Sequence, residues 1–282
     1  MRFISTSANF FNVLKIAKFT SFAFVQLVLM IFCLNQSYAD PYPQGLGLSK
    51  LQLPPRQIPT TENGITYFHI YEKGCSETDY GDGRGESDCK NGNVRSSLVG
   101  KLYVPLGSTV TYAFDIWVTP TLLYNGERDD NAFAILPKGW DSKLRLATWE
   151  GDRVHNFIYS LKVDTAKGIT FLSRTCQEPR DLGKWLSFSM KVKWANDSTG
   201  VIAVSCDGRE IYHRENAVTA ENPQCYPGNQ CEPGKKKNPK EFVFVIGPVM
   251  AGRGPVPDRF RQVQPGGIEV RVRDFNIKFD YY

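Results

Sequence analysis

Apolar and polar residues alternate without interruption in the stretch WLSFSMKVKW, which begins at Trp185. The apolar positions of this alternation are Leu186, Phe188, Met190, Val192 and Trp194. A period of two is typical of a strand that packs one side against a core. Turn-forming residues at 196–200 and the pair Asp207-Gly208 then favour two reversals of the chain. The pattern therefore predicts an antiparallel meander over 185–213.

Similar short segments recur along the chain between clusters of Gly, Pro, Asn and Asp. The strands they predict lie at 65–71, 94–104, 110–118, 132–136, 144–149, 157–163, 169–173, 241–247 and 268–282. In the last segment the apolar phase shifts by one residue near Arg273-Asp274, which predicts a β-bulge. No helical periodicity of useful length is present. The sequence predicts an all-β fold, an antiparallel β-sandwich of the jelly-roll type.

The first 39 residues have the features of a secretory signal peptide. Basic residues precede an apolar run at 19–34, and Ser37-Tyr38-Ala39 places small residues at the −3 and −1 positions. An uncleaved membrane anchor is the alternative, but polar residues interrupt the run and its length is marginal. Cleavage would give a secreted or periplasmic protein. The proline-rich segment 40–62 then predicts a linker or an arm lying on a single β domain at 63–282.

Charge and cysteine content narrow the classes of function. Three of the 34 Lys and Arg residues lie in the leader, so 31 remain against 29 acidic residues. This near-neutral balance gives no support to nucleic-acid binding. Six of the seven cysteines lie outside the leader, and an even number suggests disulfides in an exported protein. Proximity favours the pairs Cys75–Cys89, Cys176–Cys206 and Cys225–Cys231. Zinc is a weaker alternative, because no C-x-x-C is present.

Four segments occur in an order that resembles a known family. They are Asn93-Val94-Arg95-Ser96-Ser97-Leu98, Leu146-Ala147-Thr148-Trp149-Glu150-Gly151, Gly183-Lys184-Trp185 with the hairpin after it, and Phe244-Val245-Ile246-Gly247 with the terminal strand. Together they resemble the heparin lyase-type and glucuronan lyase-type polysaccharide lyases, which are concanavalin-like jelly rolls. The resemblance covers most of residues 65–282. It implies cleavage of an acidic, uronic-acid-containing polysaccharide by β-elimination.

That reaction needs a group that neutralises the sugar carboxylate, a base for the C5 proton and an acid for the leaving oxygen. Arg95 fits the first role, because a guanidinium can bind a carboxylate through two parallel hydrogen bonds. The family's glutamine and histidine are replaced here by Thr148 and Glu150, and its tyrosine by Val249. The base is therefore expected from Glu150 or from His155.

Tyr159, which follows at strand spacing, completes the set of catalytic candidates. Trp149 is a candidate for stacking on a sugar ring, although core packing is the default for such a residue. Lys101 shares a predicted strand face with Arg95. A basic loop would also attract an acidic polymer if it lay beside a groove, and otherwise would be solvated; it contains Lys235, Lys236 and Lys237.

The loop between Cys75 and Cys89 is rich in glycine and acidic residues. Its carboxylates Asp79, Asp82 and Glu86 are weak candidates for calcium ligands, because calcium takes several oxygen ligands. A solvated loop closed by a disulfide is the default interpretation. Calcium is the one cofactor that the sequence suggests.

Three classes of function stay open at this point. The first is an exported polysaccharide lyase, and its partner would be an acidic polysaccharide. The second is a non-catalytic carbohydrate-binding jelly roll that has lost the acid–base residues, which the substitutions at Glu150 and Val249 favour. The third is a structural envelope or matrix protein without sugar affinity. For each class we expect a monomer, no nucleic-acid partner and no membrane span after cleavage.

Overall fold

The computed structural model describes residues 41–48, 52–71, 74–79, 87–120, 144–151, 157–164, 166–220, 239–250 and 267–280. All strands in these ranges lie in the second of the chain's two units, Tyr42–Tyr282. Within the described ranges, nine strands form one sheet and seven form another, and every pairing is antiparallel. The predicted all-β sandwich is confirmed.

Sheet A contains the nine strands, numbered in chain order. They are β1 (Leu46–Leu48), β4 (Val94–Arg95), β5 (Leu98–Gly100), β6 (Val104–Pro105), β8 (Leu144–Gly151), β9 (Phe157–Asp164), β10 (Gly168–Phe171), β11 (Arg174–Gln177) and β15 (Glu241–Met250). Their order is β1-β5-β15-β8-β9-β10-β11, with β4 and β6 also paired to β15.

Sheet B contains the other seven strands. They are β2 (Thr60–Glu62), β3 (Ile65–Ile70), β7 (Thr109–Val118), β12 (Leu186–Lys193), β13 (Gly200–Cys206), β14 (Arg209–Ala217) and β16 (Ile268–Asp280). Their order is β14-β13-β12-β7-β16-β3-β2. A short helix, α1 (Asp88–Asn91), and two 3-10 turns, Pro55–Gln57 and Pro179–Asp181, lie outside the sheets.

The alternation that opens the sequence forms the centre of sheet B. β12 buries every second residue, as its sequence predicts, and it pairs with β7 on one side and with β13 on the other. The predicted phase shift in β16 is also present, because its register with β7 shifts between Arg273 and Asn276. Asp274 adopts a positive φ of 52° at this point. A bulge lets the strand keep an apolar face against the core on both sides of the shift.

The core lies between the two sheets and contains a cluster of aromatic rings. Trp149 from sheet A contacts Tyr112 edge-on at 5.7 Å between centroids and Phe244 at 5.1 Å. Phe188 from β12 lies 5.9 Å from the same indole. All four side chains are at most 2% exposed. Each ring buries a large apolar area, so this cluster is a main source of the sandwich's stability.

Two of the three expected disulfides are present among the described residues. Cys75–Cys89 closes the acidic loop that precedes β4. Cys176–Cys206 joins β11 of sheet A to β13 of sheet B, and so connects the two layers directly. The predicted pair Cys225–Cys231 lies outside the described residues.

The proline-rich segment contributes more to the fold than its composition indicates. β1 and β2 belong to this segment and pair with β5 and β3. Between them, Gln57 is buried, and its side-chain amide donates to the carbonyl of Arg95. The sandwich therefore begins before residue 63, where the sequence placed the domain boundary. In the described part of the chain no helix is long and apolar enough to span a bilayer.

Candidate functional site

One line of paired residues crosses the outer face of sheet A, the face turned away from sheet B. Arg95 on β4 pairs with Val249 on β15, Val249 pairs with Arg145 on β8, and Arg145 pairs with Lys162 on β9. Directly paired residues share a face, and the next line of pairs contains the core residues Leu144 and Met250. We call Arg95, Arg145 and Lys162 the cation row.

Strand spacing sets the dimensions of the cation row. Neighbouring strands lie about 4.8 Å apart, so Arg145 and Lys162 start about 5 Å apart and Arg95 lies about 10 Å from Arg145. Arg145 and Lys162 form a directly opposed pair of like charges, an arrangement that destabilises a sheet. The guanidinium of Arg145 lies 3.8 Å from the ring centre of Phe157, and this cation–π contact offsets part of the repulsion.

A buried carboxylate lies on the same face. Thr148 pairs with Val245 and Ser160 on the outer face, and its hydroxyl donates to Glu150 Oε1 at 2.8 Å. Glu150 is only 9% exposed. It pairs with Phe157, the residue on whose ring Arg145 stacks. The stacking therefore extends the Arg145 side chain along the face from the cation row towards Glu150.

Arg95 differs from the other two cations in its surroundings. Its guanidinium forms an ion pair with Asp88, whose side chain is 1% exposed, while that of Arg95 is 14% exposed. Asp88 is the first residue of α1, and Cys89 in the same helix forms the disulfide with Cys75. The loop closed by the disulfide thus places a buried carboxylate against Arg95 and fixes the position of its charge.

The prediction that Tyr159 supplies a catalytic phenol is wrong on geometric grounds. Tyr159 pairs with Trp149 on the inner face of sheet A, and its ring packs against Phe171 and Trp194. Burial raises the pKa of the Tyr159 hydroxyl well above its ordinary value of 10.0, so it stays protonated. The sheet separates it from Glu150, and it cannot act on a sugar bound at the outer face.

The prediction that Trp149 stacks on a sugar is also wrong. Its side chain is 0% exposed and lies at the centre of the aromatic cluster, so neither face of the indole is available to a ligand. The default interpretation, core packing, applies. Lys101 is exposed just after β5, and its aliphatic chain lies along Gly47 of β1. It is therefore placed at the β1–β5 side of the sheet.

The remaining candidates fall largely outside the described residues. His155, Asp82 and Glu86 lie there, as does the basic loop with Lys235, Lys236 and Lys237. Asp79 is described, but no group of three or more His, Cys, Asp or Glu side chains that could hold a metal ion occurs in the described ranges. The calcium site and the base role of His155 stay predictions.

Sequence reasoning missed Arg145 and Lys162. Both occupy polar positions of predicted strands, at 144–149 and 157–163, and alternation alone assigns them to solvent-facing sides. The signal that distinguishes them is their direct opposition across two strands, and this needs the register of β8 on β9. Two bulges interrupt that register, so counting residues from a turn would not have found it.

Comparisons with known proteins add a likeness of fold. The sequence matches no protein family, and no curated protein matches it. Among solved structures, an endo-β-1,4-glucuronan lyase from the fungus Trichoderma reesei is similar at a TM-score of 0.49 and 11% identity, covering 84% of this chain and 92% of that chain. An alginate lyase is similar at a TM-score of 0.41 and 7% identity, covering 86% and 94%.

The similar structures also include a protein of another kind. The binding domain of botulinum neurotoxin serotype G matches at a TM-score of 0.38 and 9% identity, over 83% of this chain and 42% of that chain.

Proposed function

We propose that this protein is an exported, polysaccharide lyase-like protein that binds an acidic, uronic-acid-containing polysaccharide across the outer face of sheet A and cleaves it by β-elimination. The observation that carries the proposal is the cation row. Its three cationic side chains lie on one line of pairs; Arg95 is paired with Asp88, and the other two, Arg145 and Lys162, are directly opposed. Such an opposition costs free energy in the empty protein, and an anionic polymer laid across the strands would offset that cost.

Binding would use the two cations at the centre of the face. A uronic-acid chain that crosses β8 and β9 would present its carboxylates to Arg145 and Lys162. Arg145 suits this role because its guanidinium can donate two parallel hydrogen bonds to one carboxylate. Arg95, about 10 Å further along the row, would meet a neighbouring part of the chain.

The elimination step would use Glu150 as the base. Its carboxylate takes the C5 proton, the electron pair of the C5–H bond forms the C4=C5 double bond, and the bond from C4 to the leaving oxygen breaks. The protonated Glu150, or water, then returns a proton to that oxygen. Arg145 would stabilise the negative charge that develops on the sugar carboxylate, since its side chain extends towards Glu150.

A second candidate function is binding without cleavage. The position of Tyr159 favours it, because the phenol lies on the inner face and is shielded from a bound sugar. Val249 has the same consequence: it stands between Arg95 and Arg145 on the outer face and offers no proton. In this case the cation row would hold the polymer, and Glu150 would have no chemical role.

The test uses the protein without residues 1–39 and a panel of acidic polymers, including glucuronan and alginate, with a neutral polysaccharide as control. Ultraviolet absorbance follows the unsaturated sugar that elimination forms, and affinity electrophoresis follows binding. For a lyase, we expect product from one acidic polymer, no binding to the neutral one, and a loss of about 10²-fold or more in rate for Glu150→Gln with binding kept.

The matched control is Glu62→Gln, the same change at an exposed position of β2 in sheet B, which should leave the rate unchanged. Binding by the wild type without product would favour the second candidate. Failure to bind any acidic polymer would contradict both candidates. The third class, a structural envelope or matrix protein without sugar affinity, would then be favoured.

A further inference from the structure

The line of paired residues that contains the cation row continues beyond Lys162 to the edge of sheet A. Lys162 pairs with Thr170 on β10, and Thr170 pairs with Thr175 on β11. Thr170 is 1% exposed and offers no side chain to a ligand, whereas Thr175 is partly exposed. With strands about 4.8 Å apart, Thr175 lies about 10 Å beyond Lys162 and about 14 Å beyond Arg145.

At this edge the surface contains an open depression of about 720 Å³. It is bordered by β11, by the 3-10 turn Pro179–Asp181, and by the turn that joins β13 to β14. The lining residues that matter for recognition are Arg174, Thr175, Trp185, Arg209 and Ile211. The volume suits one or two sugar units.

The depression is lined by equal numbers of positive and negative side chains, but two of its cations are already neutralised. Arg180 pairs with Glu178 at 2.9 Å, and Lys184 pairs with Asp181 at 2.8 Å. The hydrogen bond from Lys184 also lowers the pKa of Asp181, so this pair stays charged. The two ion pairs, Arg180–Glu178 and Lys184–Asp181, therefore cancel in charge at this side of the depression.

The remaining carboxylates are turned to other partners. Asp207 accepts the backbone N–H of Ser187 at 2.8 Å, and Glu210 lies 3.4 Å from His213. Arg174 and Arg209, by contrast, have no carboxylate partner among the residues that the structure describes. Arg209 makes one hydrogen bond, at 3.4 Å, to the carbonyl of Thr175.

An aromatic side chain lines the depression together with these two arginines. Trp185 is half-buried there, and the guanidinium of Arg273 from sheet B lies 4.3 Å from its ring centre. An indole offers a large apolar surface on which a sugar ring can pack, and a guanidinium can bind the sugar carboxylate through charge-assisted hydrogen bonds.

We propose that the depression is a distal subsite for a carboxylate-bearing sugar unit of the same acidic polymer that crosses the cation row. Arg174 and Arg209 bind the sugar carboxylate, and Trp185 packs against the ring. This inference rests on the proposed function. Since the depression begins about 14 Å from Arg145, only an oligosaccharide of several units reaches both places.

The experiment measures affinity against chain length. Size-graded uronic-acid oligosaccharides, prepared from the polymer that the wild type binds, are titrated by calorimetry into the wild type and into the double variant Arg174→Ala/Arg209→Ala. We expect a step of about tenfold or more in wild-type affinity at the length that spans the depression, since a charge-assisted contact contributes about 1.5–3 kcal/mol. The double variant loses this step and binds short oligosaccharides normally.

The control double variant Arg56→Ala/Arg214→Ala removes the same charge from positions outside the depression and keeps the step. Equal thermal unfolding midpoints establish that all variants fold. If the Arg174/Arg209 double variant keeps the step, the subsite is overturned while the proposed function stands. If the wild type binds no acidic oligosaccharide of any length, the proposed function fails and the subsite fails with it.

Discussion

The outer faces of the two sheets both carry charged residues, but the pairs at their centres differ in sign. On sheet B, cations face acids: Arg273 on β16 pairs directly with Asp115 on β7, and its two nitrogens lie 3.1 and 3.0 Å from one carboxylate oxygen. Lys191 lies 2.7 Å from Asp280. In each of these two pairs the opposite charges stabilise one another.

On sheet A, the line through Arg95, Arg145 and Lys162 carries one sign of charge only. No acid of the described strands lies on this line of pairs. Glu150, for example, pairs with Val243 on β15, whereas Arg145 pairs with Val249. Arginine and lysine placed opposite each other reduce the stability of the sheet. The two faces thus differ in the charges they place directly opposite each other: an acid faces Arg273 on sheet B, and a second cation faces Arg145 on sheet A. The proposed function takes this second arrangement as the place where an anionic polymer binds.

The first prediction separates Arg95 from the rest of the cation row. Asp88→Asn removes the buried partner of Arg95, and breaking a buried ion pair from one side should destabilise the protein by about 3 kcal/mol. Urea unfolding measures this loss. Asp181→Asn, which breaks the exposed pair with Lys184, is the matched control and should leave the midpoint unchanged. Equal midpoints for the two variants would mean that Asp88 does not fix Arg95.

The second prediction concerns affinity. The double variant Arg145→Ala/Lys162→Ala should bind the acidic polymer about 100-fold more weakly, because each lost contact contributes about 1.4 kcal/mol or more. The loss should be smaller at high salt, where charges are screened. Arg271→Ala/Lys191→Ala removes two cations from sheet B as the control. A similar loss in the control would show that net charge, and not the cation row, attracts the polymer.

The third prediction tests the opposite-charge pair on sheet B. Arg273→Ala removes the pair with Asp115 and the contact with Trp185, and it should lower the free energy of unfolding by about 1 kcal/mol. Binding of short acidic oligosaccharides at the cation row should not change, since only longer ones reach Trp185 in the distal subsite. Chemical denaturation measures the stability, and calorimetry with short oligosaccharides measures the binding. Weaker binding of short oligosaccharides together with unchanged stability would contradict the comparison between the faces.

The sequence predicted the layers of this fold well, because strand alternation is local. The apolar positions of 186–194 all face the core, and the phase shift at Arg273-Asp274 is the bulge that the structure contains. Applied to β8 and β9, the same alternation predicts that Trp149 and Tyr159 face the core. That position excludes the stacking role expected of Trp149 and the catalytic role expected of Tyr159. A stricter use of alternation would have excluded both.

The site itself could not be derived from one sequence. Arg145 and Lys162 lie opposite each other only because of the register between β8 and β9. This register contains two bulges, so the number of residues between the strands does not predict it. Asp88 meets Arg95 because α1 folds back after a disulfide, which is a tertiary event. Proximity along the sequence was enough to predict the two described disulfides, whose cysteines are 14 and 30 residues apart.

The last prediction converts one face into the other. Lys162→Glu places a carboxylate directly opposite Arg145, so the pair on sheet A would resemble Arg273–Asp115 on sheet B. We expect a gain of about 0.5 kcal/mol in the free energy of unfolding, since repulsion is replaced by attraction. Polymer affinity should fall at the same time, because the new acid competes with the sugar carboxylate for Arg145.

The control is the same substitution on the other face. Lys191→Glu replaces the cation that faces Asp280 with an acid, so this variant should be less stable than the wild type and should bind the polymer as the wild type does. Urea unfolding measures the stability of both variants, and affinity electrophoresis measures their binding of the polymer. A loss of stability in Lys162→Glu would mean that the cation row is already compensated within the protein, and no repulsion would be left on sheet A for a ligand to relieve.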